Sequence, residues 1–122
     1  MYLCIMYSSE LIKGTLKTII LKLLTERQEM YGYEISKVVE ELTNGKIQIT
    51  EGALYPILHK LEADGLVVTR EVNIGKRVRK YYSVTPSGKN ETTEKIHELL
   101  DFVRTIELLL KPSTESIQPC LS

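Results

Sequence analysis

The chain has 122 residues, with 16 Lys plus Arg against 16 Asp plus Glu, 43% hydrophobic and 26% charged residues, and a formal net charge of zero. That length allows one modest domain, and the composition excludes a disordered or disulfide-stapled chain. No apolar run reaches the roughly eighteen residues of a membrane span, and the apolar start Met1 to Tyr7 has no basic leader, so no membrane partner is expected and a cytoplasmic location is.

Residues 1–9 read as an N-terminal extension. From Glu10 to Leu24, Ile12, Leu16, Ile19, Ile20 and Leu23 fall on one helical stripe while Lys13, Lys17 and Lys22 lie off it, which predicts one amphipathic helix. Leu21 falls away from the stripe and predicts a second covered surface, supplied by another subunit. After the polar break Thr25 to Glu29, Tyr31-Gly32-Tyr33 opens a second helix with core positions Ile35, Val38, Val39 and Leu42, stopped by Asn44-Gly45. Lys46 to Ile49 alternates briefly. Thr50 then caps a third helix whose buried row is Leu54, Ile57, Leu58 and Leu61, with Glu51 at its positive end. Pro56 predicts a distorted start to it, and Asp64-Gly65-Leu66 a helix stop.

Two extended runs, Leu66 to Val72 and Val78 to Val84, joined by Asn73 to Arg77, predict a β-hairpin with a cationic tip. Alternation puts Val78, Tyr82 and Val84 inward and Arg79 and Tyr81 outward. Thr85-Pro86 supplies an N-cap and first-turn proline for a last helix reaching about Lys111, and the tail 112–122 reads as disordered. The fold class is mainly α with a small β-hairpin: a winged helix-turn-helix domain over 10–85 and a C-terminal dimerisation helix over 86–111.

Neutrality is a cancellation. Between Thr69 and Asn90, Arg70, Lys76, Arg77, Arg79, Lys80 and Lys89 stand against Glu71 alone, while 1–68 and 91–122 are each net acidic. In a winged helix-turn-helix module the helix before the hairpin enters the DNA groove. Gly52, Tyr55, Pro56, His59 and Lys60 lie on the side of that helix away from its buried row and, with the capping Thr50, are candidate DNA-binding residues, of which Tyr55, His59 and Lys60 are assigned to register and partial base reading. Lys76, Arg77, Arg79 and Lys80 are assigned to phosphates, with Tyr33 and Lys37 adding contacts from the second helix. The expected partner is double-stranded DNA with a pseudo-palindromic operator.

The sequence resembles the PadR family of bacterial transcriptional regulators. The resemblance rests on Tyr31-Gly32-Tyr33-Glu34-Ile35, Gly52-Ala53-Leu54-Tyr55-Pro56-Ile57-Leu58, Leu61-Glu62-Ala63-Asp64-Gly65-Leu66, and Arg79-Lys80-Tyr81-Tyr82-Ser83-Val84-Thr85 with Gly88. It implies a homodimeric winged-helix repressor, of the shorter type with one dimerising helix, released by a small molecule or another signal. This chain departs from the family in the absence of any apolar residue from Lys89 to Lys95, which predicts a solvated start to the last helix.

Ile96, Leu99, Val103, Ile106 and Leu110 repeat at spacings of 3 and 4, a short heptad seam, and Leu100 and Phe102 widen it. Together with Leu21 they form the expected dimer interface. A cavity lined by Leu16, Ile20, Leu99, Phe102 and Val103 is the candidate effector pocket. No metal and no cofactor is expected: Cys4 and Cys120 lack any metal-binding spacing, and His59 and His97 have no phosphate loop or nucleophile motif beside them, so an enzyme is not expected. A winged-helix adaptor that binds protein and never touches DNA is the alternative.

Overall fold

The computed structural model describes residues 7–112, and the cysteines and the tail beyond Pro112 lie outside them. The elements run α1 (Ser9–Lys13), α2 (Leu16–Arg27), β1 (Met30–Tyr31), α3 (Gly32–Leu42), α4 (Glu51–Ala63), β2 (Val67–Ile74), β3 (Arg77–Val84) and α5 (Pro86–Leu110). The mainly helical fold with a small antiparallel sheet is as the sequence predicts.

The single helix expected from Glu10 to Leu24 is two. Gly14 and Thr15 break it, and the Thr15 amide and hydroxyl both donate to the Ile12 carbonyl at 2.8 Å, closing α1 before α2 begins. The N-terminal side is tied down as well, since the Tyr7 amide donates to the Lys46 carbonyl at 3.1 Å. The core is drawn from every layer: Ile20, Leu21, Leu24, Met30, Ile35, Leu54, Leu58, Leu61, Val67 and Tyr82 are fully buried. Leu21 therefore has no surface to offer another subunit, and its cover comes from its own chain.

Met30 and Tyr31 add a third strand that alternation at the sequence level missed. They pair with Tyr82 and Tyr81, giving the sheet order β1-β3-β2. The hairpin strands are longer than predicted and the turn tighter, because Asn73 pairs with Val78 and Ile74 with Arg77, leaving only Gly75 and Lys76 between. Gly75 has φ +60° while Lys76 is not left-handed, the pattern of a two-residue type II′ turn that needs glycine at its first position. Tyr82 faces the core, but Val78 lies beyond it near the tip and is exposed.

The Thr50 hydroxyl caps α4 by accepting from the Ala53 amide at 3.2 Å. Pro56 removes one ladder hydrogen bond without interrupting the helix, so the distorted start is not found. At the other end Gly65 is left-handed, its amide donates to Glu62 O, and the Leu66 amide reaches back to Leu61 O at 2.9 Å, a Schellman stop.

The start of α5 is seated rather than solvated. Thr85 caps it by accepting from the Gly88 amide at 3.0 Å, while the Thr85 hydroxyl donates to Gly65 O at 2.8 Å and the Thr85 amide to Leu66 O at 3.0 Å. Gly88 and Thr92 are buried, the Thr92 hydroxyl donates to Gly88 O at 2.7 Å, and Lys17 meets Glu91 at 3.7 Å. Close approach through small residues replaces the apolar contacts that Lys89 to Lys95 lack. It is the far end of this 25-residue helix, about 37 Å long, that stands clear of the domain: Leu100, Phe102, Val103, Leu108, Leu109 and Leu110 are all exposed.

Candidate nucleic-acid interface

The helix α4 and the wing β2-β3 converge on one cleft of about 800 Å³. Tyr33, Glu51, Tyr55 and His59 line its helical side, and Arg77, Arg79 and Lys80 its wing side. Seven of the residues singled out from the sequence belong to this region or its rim: six line the cleft, and Lys76 sits in the turn at the wing tip. Lys37, Thr50, Gly52, Pro56 and Lys60 are exposed but do not line the cleft. Lys60 pairs with Asp64 at 3.3 Å across one turn; with its side chain 72% exposed, such a pair is weak and easily exchanged for another anion.

Tyr55 is not the freely projecting groove reader that its place opposite the buried row suggests. Its ring is half-buried and lies against Gly32 at the start of α3, so closely that a Cβ on Gly32 would come within 2.7 Å of Cζ. Tyr55 thus docks α3 on α4, with only part of the ring left toward His59, whose ring centroid is 6.5 Å away.

The wing cations are unequal. Arg70, counted among the basic segment, makes a bidentate pair with Glu29, Nε to Oε2 at 3.0 Å and Nη2 to Oε1 at 2.8 Å. That contact holds the Glu29 carboxyl below its ordinary range and raises the Arg70 guanidinium, each through the other's hydrogen bond first. Arg70 also lies 5.3 Å above the Tyr81 ring, Tyr81 meets Tyr31 edge to face at 5.6 Å, and Arg79 stacks on Tyr31 at 4.0 Å. Arg79 and Tyr81 are therefore on the outer face as expected, yet half covered by this ladder. The Tyr81 hydroxyl is the main cause of the raised Arg79 value. Burial pushes the Tyr82 phenol up on the opposite face.

Sequence reasoning missed Glu29 and Tyr31. The strand that carries Tyr31 is only two residues long, Met30 and Tyr31, too short for period-two alternation to single it out.

Within one chain the residues of the expected effector pocket are spread over different surroundings. Leu16 and Ile20 are buried in the core, whereas Leu99 lines an apolar groove of about 500 Å³ with Ile19 and Leu23 of α2 and Leu42 of α3. Phe102 and Val103 lie on the exposed part of α5.

The model of the transcriptional regulator PadR-like family matches residues 20–94, from α2 through the first turns of α5. The chain belongs to that family. Among solved structures, a transcriptional regulator from Clostridium thermocellum is 33% identical, superposes with a TM-score of 0.77, and is covered over 100% of its length by 84% of this chain. The Bacillus subtilis PadR, solved in complex with operator DNA, is 32% identical with a TM-score of 0.62 over 67% of this chain and 46% of that one. A transcriptional regulator of Mycobacterium tuberculosis, Rv3488, is 36% identical over 69 residues, 57% of this chain and 64% of that protein. PadR-like proteins are transcriptional regulators rather than enzymes, and among the described residues no helix is long and apolar enough to cross a membrane.

Proposed function

We propose that this PadR-like chain is a homodimeric, sequence-specific DNA-binding repressor, released from its operator by a small molecule or another signal. The observation that carries the reading is the convergence of the exposed N-terminal half of α4 and the cationic wing on one cleft. A helix N-terminus flanked by lysines and arginines suits a duplex, with the helix at base edges and the wing at phosphates. The likeness to a PadR solved with operator DNA supports DNA binding.

In this reading Lys76, Arg77, Arg79 and Lys80 supply charge, Tyr33 and Lys37 add contacts from α3, and Thr50, Gly52, Pro56, His59 and Lys60 set register and partial base reading. Tyr55 acts mainly by seating α3. Residues 10–85 are the DNA-binding unit and 86–111 the dimerising helix.

The dimer is supported by the unburied apolar end of α5, since large exposed apolar patches are rare on free-standing domains. Ile96, Leu99, Leu100, Phe102, Val103, Ile106 and Leu110 meet the partner. The groove bordered by Ile19, Leu23 and Leu42 receives the partner's helix, taking the place assigned from sequence to Leu21. The same groove, around Leu99, is where an apolar effector would compete with that helix.

Selection of bound fragments from a random duplex pool tests the reading. Enrichment of a two-fold related pair of half-sites one helical turn apart, about 34 Å, or a multiple of it, is expected. Enrichment of no motif, or of a single unpaired half-site, contradicts it.

A further inference from the structure

The outer face of the sheet carries a row across all three strands. Tyr31 of β1 lies opposite Tyr81 of β3, which lies opposite Arg70 of β2. Two positions along β3 from Tyr81, Arg79 returns over the Tyr31 ring at 4.0 Å. Glu29 closes the other end through its bidentate grip on Arg70. The row therefore has a fixed anchor, two aromatic rings, and one guanidinium at the open end that lines the cleft.

We propose that Tyr31 is a positioning residue that holds the Arg79 guanidinium ready for a DNA phosphate, with Glu29 and Arg70 as its anchor. The proposal rests on the DNA-binding reading above and divides the basic segment by role. Arg70 belongs to the fold. Arg79 is placed before DNA arrives, whereas Lys76 and Arg77 at the tip are exposed and stack on no ring. A planar guanidinium suits this task because it can stack on a ring by its face while its edge still donates to phosphate oxygens. An ammonium at the same place offers no such plane.

The test is a double-mutant cycle on binding to a labelled mixed-sequence duplex, read across a salt series. Tyr31→Leu is expected to weaken binding by about three- to tenfold, the scale of ordering one long side chain on association, with the salt slope unchanged because Arg79 still reaches its phosphate. Arg79→Ala lowers the slope by about one. Tyr31→Leu/Arg79→Ala is no weaker than Arg79→Ala alone, and Tyr31→Phe, which keeps the ring, binds like the wild type. Arg79→Lys serves if Tyr31→Leu does not fold: it keeps the charge, loses the stack, and is expected to bind about three- to tenfold more weakly at an unchanged slope. Additive losses in the cycle, failure of Tyr31→Phe to retain affinity, or wild-type affinity in Arg79→Lys overturns the proposal. Salt-insensitive or absent duplex binding by the wild type overturns the DNA reading itself, a result distinguishable because it appears before any variant is compared.

Discussion

Gly88→Ala probes the joint between α4 and α5. In an open helix the change stabilises by up to about 1 kcal/mol, since alanine is the better helix former. Here the new methyl would lie 2.6 Å from Val84 Cγ1 and closer still to the Leu66 carbonyl oxygen. That carbonyl is backbone at the Schellman stop of α4 and accepts from the Thr85 amide, so it cannot move alone. Forcing a methyl into such packing costs about 3 kcal/mol, and loosening one or two of the Thr85 hydrogen bonds adds about 1 kcal/mol each. Set against the propensity gain, the net expectation is a loss of about 3 to 4 kcal/mol. Gly52→Ala is the control, because its methyl would meet nothing nearer than Thr50 Oγ1 at 4.0 Å; it should be neutral or stabilising. Urea unfolding at fixed protomer concentration measures both, the concentration held because association shifts apparent stability. A Gly88→Ala protein as stable as the wild type refutes the seating of α5 on the α4 stop.

Three further outcomes follow from the same geometry. Gly32→Ala should destabilise by about 1 to 3 kcal/mol by pushing the Tyr55 ring from its seat, and Gly32→Ala/Tyr55→Leu should recover part of that loss; strictly additive urea midpoints would contradict the seat. Phe102→Glu places a charge on the exposed end of α5 and should give a folded monomer in sedimentation, whereas an unchanged dimer would remove this face from the interface. Because Arg70 holds Glu29 below its ordinary carboxyl range, its contribution is present above the unfolded value of about 4.3 and is lost as pH falls through the lower folded value. The wild type should therefore lose more stability between about pH 5 and 2 than Glu29→Gln, and parallel profiles would show that the pair contributes nothing.

Much of the fold was legible because its signals are local. Thr50 and Thr85 cap the helices they were expected to cap, and Gly65 ends α4, since a cap or a stop needs only a few neighbouring residues. What escaped depends on neighbours remote in sequence. Leu21 looked misplaced on one helical stripe because α2 is covered on more than one side by its own chain: Ile20, Leu21, Leu23 and Leu24 are all buried, and Lys22 between them is exposed. The docking of α5 through Gly88 and Thr92 carries no hydrophobic pattern at all. Charge counting located the wing, but it could not tell Arg70, bound to a carboxylate 41 positions earlier, from Arg77 at the tip. Two residues of β1 are too few for alternation to register, although Tyr31 supplies one of the two rings of the wing ladder.

The most direct test of the DNA-binding claim is the salt dependence of duplex affinity in the wild type and in Lys76→Ala/Arg77→Ala. Counterion release predicts a linear fall of log affinity with log salt, and loss of two phosphate contacts predicts a slope shallower by about two with folding unchanged. Duplex binding indifferent to salt, or a slope the two substitutions leave untouched, would contradict a wing that grips the DNA backbone.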